Sequence, residues 1–413
     1  MSWEYIRLSE LYEVHNGLSK GGKFFGNGFP FLSFSTVFNN WFLPAVLPDL
    51  VQSTEKEQIS YSIERGDVFI TRTSETMDEL GMSSVALKSY PQATYNGFTK
   101  RLRPIDNRIL PEFVGYYLRC PVFRGEFRAF STMTTRASLR NEDLLSMEIP
   151  VPPMDMQQRI AAILSNYDNL IENNQKQIKL LEEAAQRLYK EWFVDLRFPG
   201  YETTPVVDGV PEGWKWTQLA DIAAVNKRSI SKDYSFEYID YIDIGSVSAG
   251  RIESKTRYML KDAPGRAKRV VCDGDVIWGM VRPNLKSYAL VFHPQDTTIA
   301  STGFAVLSAK KVPFSFLYCH VIQDEFISYL VNCTNGAAYP AVKPIHFEEA
   351  NILVPTNSLL EKFQALAEPM FRKIEVLSKQ IEVAAEARDR LLPKLMSGEL
   401  EVQKWHVGIF PRF

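Results

Sequence analysis

MDMQQRIAAILSNYDNLIENNQKQIKLLEEAAQRLYKEWFVDLRF, residues 154–198, keeps an apolar residue on a seven-residue beat with no Pro or Gly to interrupt it. Ile160, Tyr167, Asn174, Leu181 and Leu188 form one set. Leu164, Ile171, Ile178, Ala185 and Trp192 form the other, and together they are the a and d positions of successive heptads. The spacing predicts one long helix whose narrow apolar seam suits a partner helix better than a broad core. Asn174 at an a position fits, because a polar residue there costs stability but penalises wrong registers.

Moving forward 203 positions finds the same beat again, in Phe363, Met370, Leu377, Ala384 and Leu391 and in Ala367, Ile374, Ile381, Arg388 and Leu395. Pro369 is expected to break or kink the first turns of this second helix and Pro393 to end it, which leaves 370–392 as the regular stretch. Helix pairing is assigned to Ile160, Leu164, Ile171, Asn174, Ile178, Leu181 and Leu188 on the first helix, and to Ile374, Leu377, Ile381 and Leu391 on the second.

The rest of the chain is doubled too. SWEYIRLSELYEV (2–14) corresponds to GWKWTQLADIAAV (213–225), Gly66-Asp67-Val68 to Gly274-Asp275-Val276, and Val151-Pro152 to Val354-Pro355, at offsets of 211, 208 and 203 positions. Short β-rich stretches punctuated by Gly and Pro fill both copies. The expected organisation is a first globule over 1–153, a helical spacer over 154–198, a second globule over 199–357, a second spacer over 358–402 and a tail over 403–413. The fold class is α+β: two similar mixed α/β globules joined by two long antiparallel helices, a repeat with pseudo-twofold character. About 37 helical residues at ~1.5 Å each span about 55 Å, more than the ~34 Å of one duplex turn.

Bulk composition narrows the class. The chain has 413 residues, 45% of them hydrophobic, and a net charge of −2, which argues against a wholesale nucleic-acid binder. Yet basic residues cluster locally, at Arg119, Arg124, Arg128, Arg136 and Arg140 and again over 251–269. No apolar run reaches membrane-helix length, and the N-terminus is charged from Glu4, so a cytoplasmic protein without a membrane role is expected. The four cysteines form no C-x-x-C pair and read as reduced thiols, with Cys319-His320 a packing pair.

A search for catalytic chemistry returns little. Gly17–Lys23 approaches a phosphate-binding loop, but Phe24 stands where a magnesium-holding Ser or Thr belongs. Glu253 and Lys255 lack a convincing partner carboxylate for a nuclease metal site. The chain reads as non-catalytic, with no metal and no cofactor of its own. Loops that mix cations, hydroxyls and amides are the candidates for reading DNA, since Arg and Lys suit phosphates or guanine edges and Asn suits adenine. The candidate DNA-binding residues are Thr71, Arg72, Thr73, Asn96, Lys100, Arg101, Thr135, Arg136 and Arg140 in the first copy, and Arg282, Asn284, Lys286, Tyr339 and Lys343 in the second.

RASLRNEDLLSMEIPVPPMDMQQRIAAIL (136–164), GDVIWGMVRPNLKSYAL (274–290) and RDRLLPKLMSGEL (388–400) carry a resemblance to the DNA-specificity subunits of Type I restriction–modification enzymes, and the resemblance spans the whole chain. It implies two target-recognition domains, each reading one half of a bipartite site in double-stranded DNA. It also implies helices that set the gap between the halves and dock two methyltransferase subunits. Those partners would carry S-adenosylmethionine and the adenine-N6 chemistry, and separate motor-nuclease subunits would cut. The alternative is a coiled-coil adaptor between proteins that never touches DNA.

Overall fold

The computed structural model describes residues 3–74, 79–130, 132–133, 137–231, 234–334 and 340–400. The chain forms two compact units, unit 1 from Met1–Asn173 with Ile381–Phe413 and unit 2 from Asn174–Gln380. Each unit holds one mixed α/β globule and a stretch of both long helices.

The first long helix runs Met154–Tyr189 and passes into a π-helical turn, Lys190–Val194. That wider turn, closed by Asp195 N–H to the Lys190 carbonyl at 2.8 Å, lets two successive rings, Trp192 and Phe193, enter the same core. The second helix runs unbroken over Asn357–Met396. This corrects the expectation of a break at Pro369 and an end at Pro393. Each proline withholds a donor from the carbonyl four residues back. Those carbonyls belong to Ala365 and Asp389, both exposed residues on the solvent side of the helix, where a missing backbone donor costs less than in the buried seam.

Within unit 1, Ile160 and Leu164 pack with Leu392, Leu395 and Met396. Arg388 pairs with Asp168 at 2.6 Å, and Asp168 also accepts the Tyr116 hydroxyl at 2.5 Å. Within unit 2, Ala185, Tyr189 and Trp192 share a core with Phe363, Ala367 and Phe371, and buried Asn174 donates to Gln380 at 3.1 Å. In each unit rising numbers on one helix meet falling numbers on the other, so the segments run antiparallel. Of the remaining seam residues, Ile178 and Leu377 are buried, and Ile171, Leu181, Leu188, Ile374, Ile381 and Leu391 are half-buried.

One four-stranded sheet is repeated strand by strand in the two globules. In unit 1 the antiparallel sheet is ordered Tyr12–Asn16, Thr99–Pro104, Val68–Thr71, Ser83–Val85; in unit 2 it is Ala223–Val225, Phe304–Ala309, Val276–Gly279, Tyr288–Leu290. Val68 pairs with Leu102 and Val85, and Val276 with Leu307 and Leu290. The copy-opening strand pairs with the strand before the long helix in both, Glu4 with Val151 and Lys215 with Val354. Each Gly-Asp-Val stretch closes one turn. Asp67 accepts the N–H of Glu64 at 2.7 Å and Asp275 that of Cys272 at 2.8 Å. Both aspartates are buried, so each satisfies a turn that would otherwise bury an unpaired donor. All four cysteines are free thiols, and Cys319 is fully buried. Among the described residues, no helix is long and apolar enough to cross a membrane.

Candidate nucleic-acid interface

Both units build the same platform at the end of the Gly-Asp-Val strand. In unit 1 the chain leaves Val68–Thr71, and the Arg72 carbonyl accepts the N–H of Leu139 at 3.1 Å. Thr73–Ser74 then pairs with Ala137–Ser138. In unit 2 the Met280 carbonyl accepts the N–H of Val342 at 2.9 Å, Val281 bridges Ala341, and Arg282 N–H reaches the Pro340 carbonyl at 2.8 Å. The stretch before each Val-Pro pair thus buttresses the stretch after each Gly-Asp-Val strand, residue for equivalent residue.

The side chains on this shared frame differ. In unit 2, Arg282 (φ 50°) and Lys286 (φ 57°) are non-glycine residues in the left-handed region, flanking the turn Pro283–Leu285. Such backbone costs of order 1 kcal/mol or more per residue and persists only where the surroundings enforce it. Here the bonds to 340–342 hold one side, and Lys286 is tied to Asp324 at 3.0 Å on the other. Arg282, Asn284 and Lys343 all face solvent, so two cations and an amide stand together on one rigid ledge. Tyr339 lies outside the described residues.

In unit 1, Arg72, Thr73 and Asn96 are half-buried on the platform. Arg140 is exposed and clasps Asp143 at 2.7 and 3.0 Å. Thr135 and Arg136 lie outside the described residues. Three other candidates are corrected by their placement. Thr71 is fully buried, and its hydroxyl accepts the Met82 N–H at 2.9 Å. Lys100 and Arg101 are 5% and 3% exposed. The Lys100 ammonium donates to Asn141. Arg101 donates to the Ser62 carbonyl at 2.7 Å and lies over the Tyr95 ring, 5.4 Å from its centroid. Burial, helped by the nearby Arg72 charge, pulls the Lys100 ammonium below its ordinary value. The physical reason is topological. Thr99–Pro104 is an inner strand with neighbours on both sides, so residues that follow an Asn-Gly turn and read as loop are enclosed by the sheet.

Other basic residues of the sequence clusters are structural as well. Arg119 spends its guanidinium on the carbonyls of Ser83, Val37, Phe38 and Asn40, at 2.6 to 3.1 Å. Burial lowers its pKa to about 10. Glu253 accepts the Ser248 hydroxyl at 2.5 Å, and no cluster of three metal-ligating residues occurs among the described residues.

A stripe on the helices runs outward from the seam candidates Leu188 and Leu391. Leu180, Glu183, Ala184, Arg187 and Leu188 recur 203 positions later as Val383, Glu386, Ala387, Arg390 and Leu391. Leu180 is 64% exposed and Val383 56%, and both Glu–Arg pairs face solvent. In unit 2 the stripe borders a groove of about 480 Å³ that Leu366 and Met370 complete. Aligning the two copies at that offset would have revealed it from sequence.

Residues 1–183 match the Type I restriction modification DNA specificity domain. The chain is 26% identical to the Type I restriction enzyme MjaIX specificity subunit of Methanocaldococcus jannaschii over 97% of this chain and 94% of that one. It is 24% identical to the MjaVIII specificity subunit of the same organism over 62% of this chain and 63% of that one. Its fold is similar to the crystal structure of a Type I restriction–modification system S subunit from M. genitalium, with a TM-score of 0.60 at 15% identity, over 95% of this chain and 96% of that one.

Proposed function

We propose that this chain is a DNA-specificity subunit of a Type I restriction–modification system, as the family match over residues 1–183 and the relatives similar along the whole chain support, and that each unit reads one half of a bipartite duplex site. The observation that carries this is the platform. Its hydrogen-bonded frame repeats in both units with an exposed cation at one equivalent place, Arg140 and Lys343, while the other polar side chains differ: Arg282 and Asn284 in one, Arg72 and Thr73 in the other. A repeated frame bearing different base-reading groups suits two half-sites of different sequence.

The finer reading extends to partners. The repeated stripe supports two equivalent docking surfaces, because exposed positions drift unless something holds them. Two methyltransferase subunits fit this pair of surfaces, and they would bring S-adenosylmethionine and the adenine chemistry. Motor-nuclease subunits would join that assembly, and this chain would supply recognition without catalysis in the cytoplasm. Leu180→Asp should remove one methyltransferase copy and Val383→Asp the other, read as stoichiometry by native mass spectrometry.

The deciding experiment is selection from randomised duplexes with the assembled complex. Two enriched blocks at a fixed gap are expected. Arg282→Ala with Asn284→Ala should blur one block, each base contact being worth about 1–3 kcal/mol, and leave the other intact. Enrichment of a single contiguous motif would refute the two-unit reading, and the absence of any enrichment would favour the adaptor alternative.

A further inference from the structure

We infer that Phe98 is an apolar base contact of unit 1, reading the 5-methyl group of a thymine in that unit's half-site; the inference rests on unit 1 being a DNA-reading unit. Phe98 is 55% exposed, and single exposed rings are common on protein surfaces. Exposure alone therefore decides nothing. The backbone that presents the ring decides more.

Every group around it is tied. Asn96 N–H donates to the Leu32 carbonyl at 3.0 Å and Gly97 N–H to Leu18 at 2.8 Å. The Asn96 side chain accepts the Phe98 N–H at 2.6 Å, and the Asn96 carbonyl accepts both the N–H and the hydroxyl of Thr99. A side chain at Gly97 would collide with Ser19, since a Cβ there lies 2.3 Å from Oγ. The ring is thus held out on a rigid turn, with little ordering left to lose on contact. The Phe98 carbonyl accepts the Arg72 N–H at 3.0 Å, which places Arg72 and Thr73 beside it. The Arg72 Nε is buried and finds no hydrogen-bond partner among the described residues. An apolar ring flanked by a cation and a hydroxyl is the mixture that reads base edges, and the thymine methyl is the apolar mark on the major-groove edge.

The second copy separates this duty from scaffolding. Met280 N–H donates to the Gly303 carbonyl at 2.9 Å, the same bond as Arg72 to Phe98, so Gly303 stands where Phe98 stands. The frame closes there without any side chain. A Cβ on Gly303 would lie 2.2 Å from the Ile244 Cδ1. The equivalent strand pairing, Val68 with Leu102 and Val276 with Leu307, forms in both copies, so the frame itself does not require the ring.

The test uses the full chain assembled with its methyltransferase subunits, on the duplex found by selection. Each thymine of the unit 1 half-site is replaced in turn by uracil, which deletes only the methyl group. The wild-type complex should lose about fourfold in affinity at one position, the worth of one buried methyl. Phe98→Ala should lose the same factor on the thymine duplex and no longer distinguish thymine from uracil. Phe98→Leu should keep part of the discrimination, and contacts to the unit 2 half-site should be unchanged. The inference is overturned if Phe98→Ala binds every duplex as wild type does, if the half-site lacks thymine, or if the variant weakens thymine and uracil duplexes equally, as a wedge between stacked bases would. A wild-type complex that selects no sequence would instead overturn the reading of unit 1 itself.

Discussion

Arg103 grips Asp67 with two parallel bonds, Nε to Oδ1 at 2.8 Å and Nη2 to Oδ2 at 2.7 Å, whereas Ser308 holds the equivalent strand position beside Asp275. The two aspartates perform one backbone task with two different helpers. Burial pushes the Asp275 carboxyl up, and the Ser308 hydroxyl opposes that. Asp67 is fully buried, so Arg103→Leu should leave an uncompensated charge and cost about 3–5 kcal/mol. Arg103→Ser should cost clearly less, because Ser308 holds that strand position in the other copy. Urea unfolding at neutral pH measures both, and equal losses would show that the copies are not interchangeable at this position.

Pro369→Ala should stabilise the protein. The residue is exposed in mid-helix, and the substitution restores an N–H for Ala365 and relieves the ring clash. A gain of about 1–3 kcal/mol in unfolding free energy is expected from the helix cost of proline. An unchanged or lower Tm would mean that the proline bends the helix into a shape its partner requires.

His320 sets a pH limit on unit 2. Its Nδ1 lies 3.0 Å from the Tyr189 hydroxyl, and burial lowers its pKa from 6.5 to about 4. The fold accommodates the neutral ring, so the unfolded chain binds more protons between those values. The stabilisation is complete above pH 6.5 and is lost progressively as pH falls toward about 4. The loss should reach about 2 kcal/mol near pH 4.5. His320→Gln should flatten that part of the stability profile in calorimetric scans from pH 7 to 4.5. A variant that retained the full slope would place the responsible group elsewhere.

The helices should set the gap between half-sites only as a matched pair. Asn174 meets Gln380 across the seam, so residues added to one helix alone would shift every later layer against its partner. Seven residues inserted after Gln175 together with seven after Ser378 preserve the heptad. At ~1.5 Å per residue against ~3.4 Å per base pair, the gap should grow by about three base pairs. Repeating the duplex selection reads this directly; an unchanged gap with both blocks intact would remove the helices from the spacing role.

What was legible in the sequence was periodic or repeated. The heptads from Ile160 onward and the recurrence of Trp3, Gly66 and Val151 are local signals that survive without knowledge of neighbours. Lys100 and Arg101 were misread because their burial depends on Tyr12–Asn16 and Val68–Thr71 lying on either side, a pairing no local pattern announces. Pro369 misled in the opposite direction, since a local rule yielded to a seam tens of residues long. The exchange of Arg103 for Ser308 required the register of both sheets before the positions could be matched.

Both long helices pass through both units, and this sets an order of assembly. The core of unit 1 includes Leu392, Leu395 and Met396, and its Asp168 waits for Arg388. On the ribosome the first globule is made early, yet its packing cannot close until the last helix has emerged. Unit 2 draws its whole compact body from one continuous stretch, Asn174–Gln380. The half that is synthesised first is therefore the half that finishes folding last, and during that interval Ile160 and Leu164 remain open to aggregation or to a chaperone.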